Sequence, residues 1–512
     1  MKSKISAKEL MDSWKKALAF WGYPAIEAEH YTSKSAAKKS MGDDIAHFDF
    51  AMQRARINIP KLEERLGIDC LEAVDKHEIG HYTFCPFDLK NCILMIQGAQ
   101  AVVQDYKKAM YIENVVADIM LNTHMVNKGD SSISTVYQRM GKTDDALWTL
   151  IMRSCELLWK IPSQTLAKRN KEVENDAHQI AQIIGHSMYV PAQWQSATAQ
   201  CAQLLSKYEL NPNDKSREVD SHKPSDFVAG TDMYSMAKSL AGISKNLSHG
   251  DFTAIAAGTE MCTKEKAAQL YHIDVARRYA IQPPTTILPL HSDSMASPRE
   301  WSAEDDVEKL DIAYSLQQGI LIPGDTTYRW HADDNPTIPT KTYRDLLIVL
   351  DSSASMPDPS DTLSVPVVSS LALSRSAHQR GSRVAAISFS HGWKSCEYTH
   401  HDKETDEILL SYLNGGTIIP AQAIRDITKS HHYPQHIVII TDAAIGNLEQ
   451  DKELLAEARS YAQGGTIFLY GTTLSTTHST LESIGYTIRP ATTEKDLLHL
   501  STQLSADLYG RE

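Results

Sequence analysis

Residues 77–81 read His-Glu-Ile-Gly-His and residues 351–355 read Asp-Ser-Ser-Ala-Ser. On a helix, positions i and i+4 share one face with Cβ atoms about 6 Å apart, so His77 and His81 can offer two imidazoles to one Zn2+ ion. Glu78 then lies beside the open coordination position. A carboxylate there can take the proton of a water whose pKa zinc lowers to about 7. The flanking Leu71, Val74 and Ile79 are the apolar set of a partly buried helix. Gly80 costs such a helix about 1 kcal/mol against alanine, which points to close packing or to the approach of a ligand.

A zinc centre of this kind needs a third protein ligand. In the helical segment 111–124, Asn114, Asp118 and Asn122 recur at i, i+4 and i+8, a polar stripe on an otherwise apolar helix. Buried polar groups must be satisfied. Asp118 as ligand, with Asn114 and Asn122 orienting the ligands behind it, would satisfy them. Glu113 is the rival third ligand. It stands about 140° around the helix from Asp118, so the two do not face one ion, and Asp118 is the favoured choice. The competing reading is that Asn114 and Asp118 pair with neighbouring helices while His77 and His81 are solvated.

The second group is made of oxygens. Asp351 ends the apolar run 345–351 and Asp442 ends the run 436–442, while Ser353 and Ser355 are spaced to turn alternate hydroxyls to one point. Thr417 follows Gly415 and Gly416, which allow close backbone approach. Two carboxylates and three hydroxyls suit Mg2+ far better than zinc. They cannot complete an octahedron, so the vacant position can accept a carboxylate from a partner protein. The competing reading is a helix N-cap cluster.

The elements that must position these groups differ along the chain. Residues 1–282 read mainly as helices, with apolar residues at three- and four-residue spacing in 144–161 and 176–190. Residues 210–226 are polar and turn-rich. Prolines thicken between 283 and 342, around one helix at 302–319, and this stretch reads as an ordered connector. From 343 to 512, short apolar runs rich in Val and Ile (345–351, 383–390, 436–443, 465–472) alternate with helical segments. That pattern predicts a parallel, doubly wound α/β sheet covered on both faces, with ligands beyond the carboxyl ends of its strands. A last amphipathic helix opens at Thr493.

The remainder of the chain narrows the function classes. A chain of 512 residues implies two or three domains. Seven scattered cysteines without a Cys-x-x-Cys pair form neither a disulfide framework nor a cysteine zinc site, and they suit a reducing cytoplasm. A net charge of −13 with no dense Lys/Arg run argues against nucleic acid. No stretch approaches the ~20 apolar residues of a membrane span, and the charged start reads as a helix rather than a secretion signal. Gly141, Lys142 and Thr143 mimic a phosphate loop, but Val136 stands where its first glycine is required, so no ATPase is expected. A Gly-x-Ser-x-Gly nucleophile motif is also missing. His400, His401, His431, His432 and His436 are expected in surface loops.

Asp351, Ser353, Ser355, Thr417 and Asp442 match, in order, the metal-ion-dependent adhesion site of the von Willebrand factor A family, which residues 343–512 resemble. The resemblance implies a Rossmann-like domain that docks a protein partner through Mg2+. Together with His-Glu-x-x-His and the Asn-x-x-x-Asp-x-x-x-Asn stripe, the chain resembles microbial proteins that fuse a zincin-like metallopeptidase domain to such a domain. These are often coupled to AAA+ ATPases of the MoxR type. The expectation is therefore a zinc peptidase-like site acting on a peptide or protein, with Glu78 as general base, joined to an adhesion site for an ATPase. Two alternatives remain: a non-enzymatic adaptor with a structural N-terminal domain, and a metal-chelatase-like subunit.

Overall fold

A computed structural model describes residues 5–42, 44–212, 222–281, 299–305, 307, 310–317, 321–324, 327–329, 343–442, 444–471 and 476–510. The chain divides into two compact units. One is Met1–Arg278 with Pro357–Ser364, and the other is Tyr279–Met356 with Val365–Glu512. Most of the connector expected at 283–342 lies outside the described residues, as does much of the polar stretch 210–226. Within the connector, Ile312–Gln317 is helical, and Arg299–Glu300 pairs antiparallel with Tyr328–Arg329. No helix among the described residues is long and apolar enough to cross a membrane.

The first unit is helical, as expected, and many of its helices start on side-chain caps. Ser6 and Glu9 form a reciprocal capping box for Ala7–Phe20, and Asp88, Asp105 and Asp145 cap Leu89–Val103, Tyr106–Asn127 and Ala146–Trp159. The unit also holds a small sheet that the helical reading missed. Its strands run in the order Glu27–Tyr31, Arg54–Asn58, Ala46–Asp49, the first pair parallel and the second antiparallel. These strands are four or five residues long, and Glu27, Glu29, Arg54 and Arg56 on them pair with one another. Only Ala46, Phe48, Ala55 and Ile57 give the sheet an apolar face, too few for a visible alternation.

That face packs on the helix Leu71–Thr83, where Phe48 meets Tyr82 with ring centroids 5.5 Å apart. The helix is surrounded on all sides: every residue from Leu71 to His81 except Glu72 is buried. Its charges are consequently met inside the protein. Asp75 accepts from Ser13 Oγ at 2.6 Å and pairs with His30 at 3.0 Å. Lys76 reaches both Glu72 and Asp130, at 2.6 and 2.5 Å.

The second unit is an α/β sheet of six strands in the order Thr487–Ala491, Gly464–Tyr470, Gln435–Thr441, Asp345–Asp351, Val384–Phe389, Trp393–Thr399. All neighbours are parallel except the last pair. The four strands expected from the apolar runs form the centre, buried on both faces. One face, through Leu347, Val349, Ile437 and Ile439, meets Ile424, Ile427 and Leu455 of the helices Ala421–Ser430 and Leu448–Tyr461. The edge strands Trp393–Thr399 and Thr487–Ala491 are exposed or half-buried at all but their last residue and therefore lack the run that marks the others. Thr493 caps the final helix, Glu494–Tyr509.

Two of the histidines expected at the surface are not there. His431 pairs with Asp345 at 2.8 Å and stacks on Tyr398 at 3.6 Å. His436 is buried and bonds to Thr466 Oγ1 at 3.0 Å. Both line the strand ends, where neighbouring side chains shield them. His400, His401 and His432 are exposed, and the Gly-Lys-Thr segment follows a helix that ends at Met140.

A buried histidine makes the first unit acid-sensitive. His272 Nδ1–H donates to Ala268 O at 2.7 Å, and its Nε2 accepts from Ser364 N–H at 2.9 Å. Burial lowers its pKa to about 4. The unfolded chain, near 6.5, takes up the proton first, so stability falls as pH drops from about 6.5 toward 4. Denaturant titrations of the full chain should lose about 3 kcal/mol across that window through this residue. In His272→Leu that share of the slope should vanish, even though the variant starts less stable.

Candidate metal centre

The helix Leu71–Thr83 presents His77 and His81 on one face toward the helix Tyr106–Asn127. The helices approach closely at Gly80, where a Cβ would collide with Leu121 Cδ1 and Trp21 Cζ2. The glycine expected from its helix cost to mark close packing does so. A larger residue would hold the histidines away from Asp118.

His77 Nε2 and His81 Nε2 are 3.2 Å apart, and Asp118 Oδ1 lies 3.7 Å from the first and 3.4 Å from the second. Four ligands at the ~2.0–2.1 Å zinc–nitrogen or zinc–oxygen distance have edges of roughly 3.3–3.4 Å. The three atoms therefore outline one face of a zinc tetrahedron. The imidazole nitrogens behind them are occupied. His81 Nδ1–H donates to the carbonyl of Cys85 at 3.0 Å. His77 Nδ1–H donates to Asn122 Oδ1 at 2.8 Å, and Asn122 Nδ2–H donates to Tyr137 Oη at 2.8 Å. A neutral imidazole has one N–H, so both Nε2 lone pairs face the same point. Asp118 Oδ1 is buried there with no hydrogen-bond partner among the described residues.

His77, Glu78 and His81 are at most 1% exposed, whereas the Asp118 side chain is 23% exposed. Asp118 is thus the partly exposed member of the group, although its Oδ1 is buried. Donor type and geometry both fit zinc. The solvated-histidine alternative does not hold, because neither ring reaches the surface.

The rest of the polar stripe divides. Asn122 stands behind His77 as expected. Asn114 does not touch the histidine pair; its Oδ1 accepts from the backbone N–H of His222 at 3.3 Å. Glu113, the rival third ligand, is turned away as the helix geometry requires and pairs with His222 Nε2 at 3.0 Å. Sequence reasoning missed two neighbours of the site: the Cys85 carbonyl carries no side-chain signal, and His222, whose ring lies 4.9 Å from that of His81, is far from any spacing motif.

In the second unit, Asp351 and Asp442 sit at the carboxyl ends of the adjacent central strands Asp345–Asp351 and Gln435–Thr441. Successive connections leave these two strands in opposite directions along the sheet, which makes this the crevice where doubly wound sheets bind ligands. Asp351 Oδ1 accepts from Ser353 N–H at 2.9 Å and Oδ2 from Thr441 Oγ1–H at 2.7 Å, while the Ser353 and Ser355 hydroxyls are 3.1 Å apart. Backbone bonds knit the three loops: Ala354 N–H to Gly415 O at 2.9 Å, Asn414 N–H to Ser352 O at 3.0 Å, and Gly446 N–H to Thr417 O at 2.9 Å. Burial, with the charge of Asp442 adding to it, pushes the Asp351 carboxyl above its ordinary range despite the hydrogen bonds from Thr441 and Ser353. Such a pair of carboxylates gains from a cation between them.

No family model matches this chain, and no curated protein matches it.

Asn122→Ala should leave the three ligands in place but free the His77 ring. Zinc affinity measured by competition with a chelator should fall roughly 10–100-fold.

Proposed function

We propose that the first unit is a zinc-dependent hydrolase centre for peptide bonds, zincin-like in design, and that the second is a von Willebrand factor A-type domain that docks a protein through Mg2+. The observation that carries the first half is the convergence of two committed imidazole lone pairs and the Asp118 oxygen within 3.7 Å of one another. His77, His81 and Asp118 would hold the ion. Zinc supplies Lewis acidity toward a substrate carbonyl and acidifies water at neutral pH. Glu78, next to His77 and fully buried, is the general base: its carboxylate takes a proton from the attacking water and returns it to the leaving amine. Asn122 and the Cys85 carbonyl keep the two rings from turning, and the Asp118 side admits the substrate.

Asp351, Ser353, Ser355, Thr417 and Asp442 are the oxygen set for Mg2+, with a coordination position left for an acidic side chain of the partner. A MoxR-type AAA+ ATPase is the partner this arrangement suits, because the chain carries no phosphate loop of its own and remodelling of a folded target needs a nucleotide-driven motor. The cytoplasm is the matching compartment.

A second reading has an observation of its own. With both histidines at most 1% exposed, a polypeptide reaches the centre only past Asp118, which favours an adaptor with a structural zinc. Glu78→Gln separates the two. For a peptidase, zinc content should be retained while cleavage of a denatured protein substrate falls by about two to four orders of magnitude. Wild-type protein that cleaves nothing, with Glu78→Gln fully functional in cells, would establish the adaptor.

For the second unit, millimolar Mg2+ should raise the thermal midpoint of the wild-type chain. At a hundred times the dissociation constant the gain is about 2.7 kcal/mol. Asp351→Ala should abolish both that shift and partner binding. A wild-type midpoint indifferent to Mg2+ would rule out the docking reading.

A further inference from the structure

A second group of ligand types lies in the first unit, outside the His77–His81–Asp118 centre. Cys92 comes from the helix Leu89–Val103, Glu113 from the helix Tyr106–Asn127, and His222 from the chain entering the turn Pro224–Phe227. One ligand atom from each lies within 4.8 Å of the other two, and all three residues are buried. His222 Nε2 and Glu113 Oε1 are 3.0 Å apart, with both side chains 1% exposed.

Hydrogen bonding leaves this cluster incomplete. Glu113 Oε2 and His222 Nδ1 are both buried without a hydrogen-bond partner among the described residues. A carboxylate with one oxygen unmet in the interior costs several kcal/mol, and native proteins rarely carry such groups without an ion or water to meet them. The third member, the Cys92 thiol, is a weak hydrogen-bonding group but a strong zinc ligand once deprotonated. Cys92 is 0% exposed, which rules out a nucleophile for external substrates.

We infer that Cys92, Glu113 and His222 form a second, buried zinc site. Mixed sulfur, nitrogen and oxygen donors are within the ordinary zinc repertoire, whereas Mg2+ and Ca2+ demand oxygens. Zinc–sulfur bonds of about 2.3 Å and zinc–nitrogen or zinc–oxygen bonds of about 2.0 Å require edges of roughly 3.3–3.6 Å. The ligand atoms, within 4.8 Å of one another, would draw in to that length around an ion.

The site explains why one short helical segment binds the same residue twice. Glu113 meets the His222 side chain and Asn114 Oδ1 takes its backbone N–H. The His222 ring in turn lies 4.9 Å, centroid to centroid, from the ring of His81. A zinc ion on Cys92, Glu113 and His222 therefore staples the segment before Pro224 to two helices. It also fixes a wall against a ligand of the first centre. Its role is positional, and it stands apart from the hydrolase reading, since no residue is shared.

The test is metal content and a cobalt spectrum of the full-length protein. Two zinc equivalents per chain are expected. Cobalt-loaded protein should show the intense near-ultraviolet thiolate-to-cobalt charge-transfer absorption, which the sulfur-free first centre cannot produce. Cys92→Ser should lose that absorption and one equivalent, whereas His77→Ala should lose one equivalent and keep the absorption. Cobalt-loaded wild-type protein without the absorption would overturn the inference, with no variant needed and no dependence on how a variant folds. Persistence of the absorption in Cys92→Ser would overturn it equally. Absorption present with zinc content unaffected by His77→Ala would uphold this site and remove the proposed hydrolase centre.

Discussion

The first unit is organised around one point on which two imidazole nitrogens and a carboxylate oxygen converge. The Cys85 carbonyl can only accept a hydrogen bond, so it commits the proton of His81 to Nδ1. Asn122 does the same for His77, backed by Tyr137. The two Nε2 lone pairs then meet at 3.2 Å, with the Asp118 oxygen closing the triangle. A divalent cation at that point would meet all three donors at once. The near-contact of the helices at Gly80, the burial of the Leu71–Thr83 helix and the cap at Asp105 all serve to hold that triangle.

Burying a helix with this many charges would be ruinous without internal partners. The surrounding elements meet Asp75 and Lys76 each at its own position. The first helix brings Ser13 to Asp75, the small sheet brings His30 to the same carboxylate, and the turn after Asn127 brings Asp130 to Lys76. The three-stranded sheet therefore has an electrostatic purpose as well as a packing one. Without it the helix would lack both a cover for Tyr82 and a hydrogen-bond partner for Asp75.

The second unit solves a different problem with oxygens. Its two carboxylates come together because the sheet reverses its winding between their strands, so no connection crosses the crevice they face. The loops above are tied to one another through backbone groups and through the side chains of Tyr412 and Asn447. The Ser353 and Ser355 hydroxyls lie together at this rim, and the loop that carries Thr417 is bonded through its backbone to the one after Asp442. The imidazole-rich centre and the oxygen-rich one thus differ in donor softness as zinc and magnesium do.

Local sequence determined a good deal. Short-range physics suffices for the pairing of His77 with His81, for the separation of Glu113 from Asp118 around one helix, and for the four central strands whose apolar runs must be covered on both sides. Each of these follows from a fixed rise and rotation per residue. The polar edge strands and the small sheet escaped because a half-exposed strand carries no continuous apolar signal, and its pairing energy comes from distant neighbours. His431 and His436 look like loop residues until Asp345 and Thr466 close on them. Only the tertiary structure decided which carbonyl orients His81, that Asn114 serves His222 rather than the histidine pair, and that Cys92 and His222 converge across 130 positions of chain. Such contacts are set by the packing of whole helices, and no periodicity along the chain encodes them.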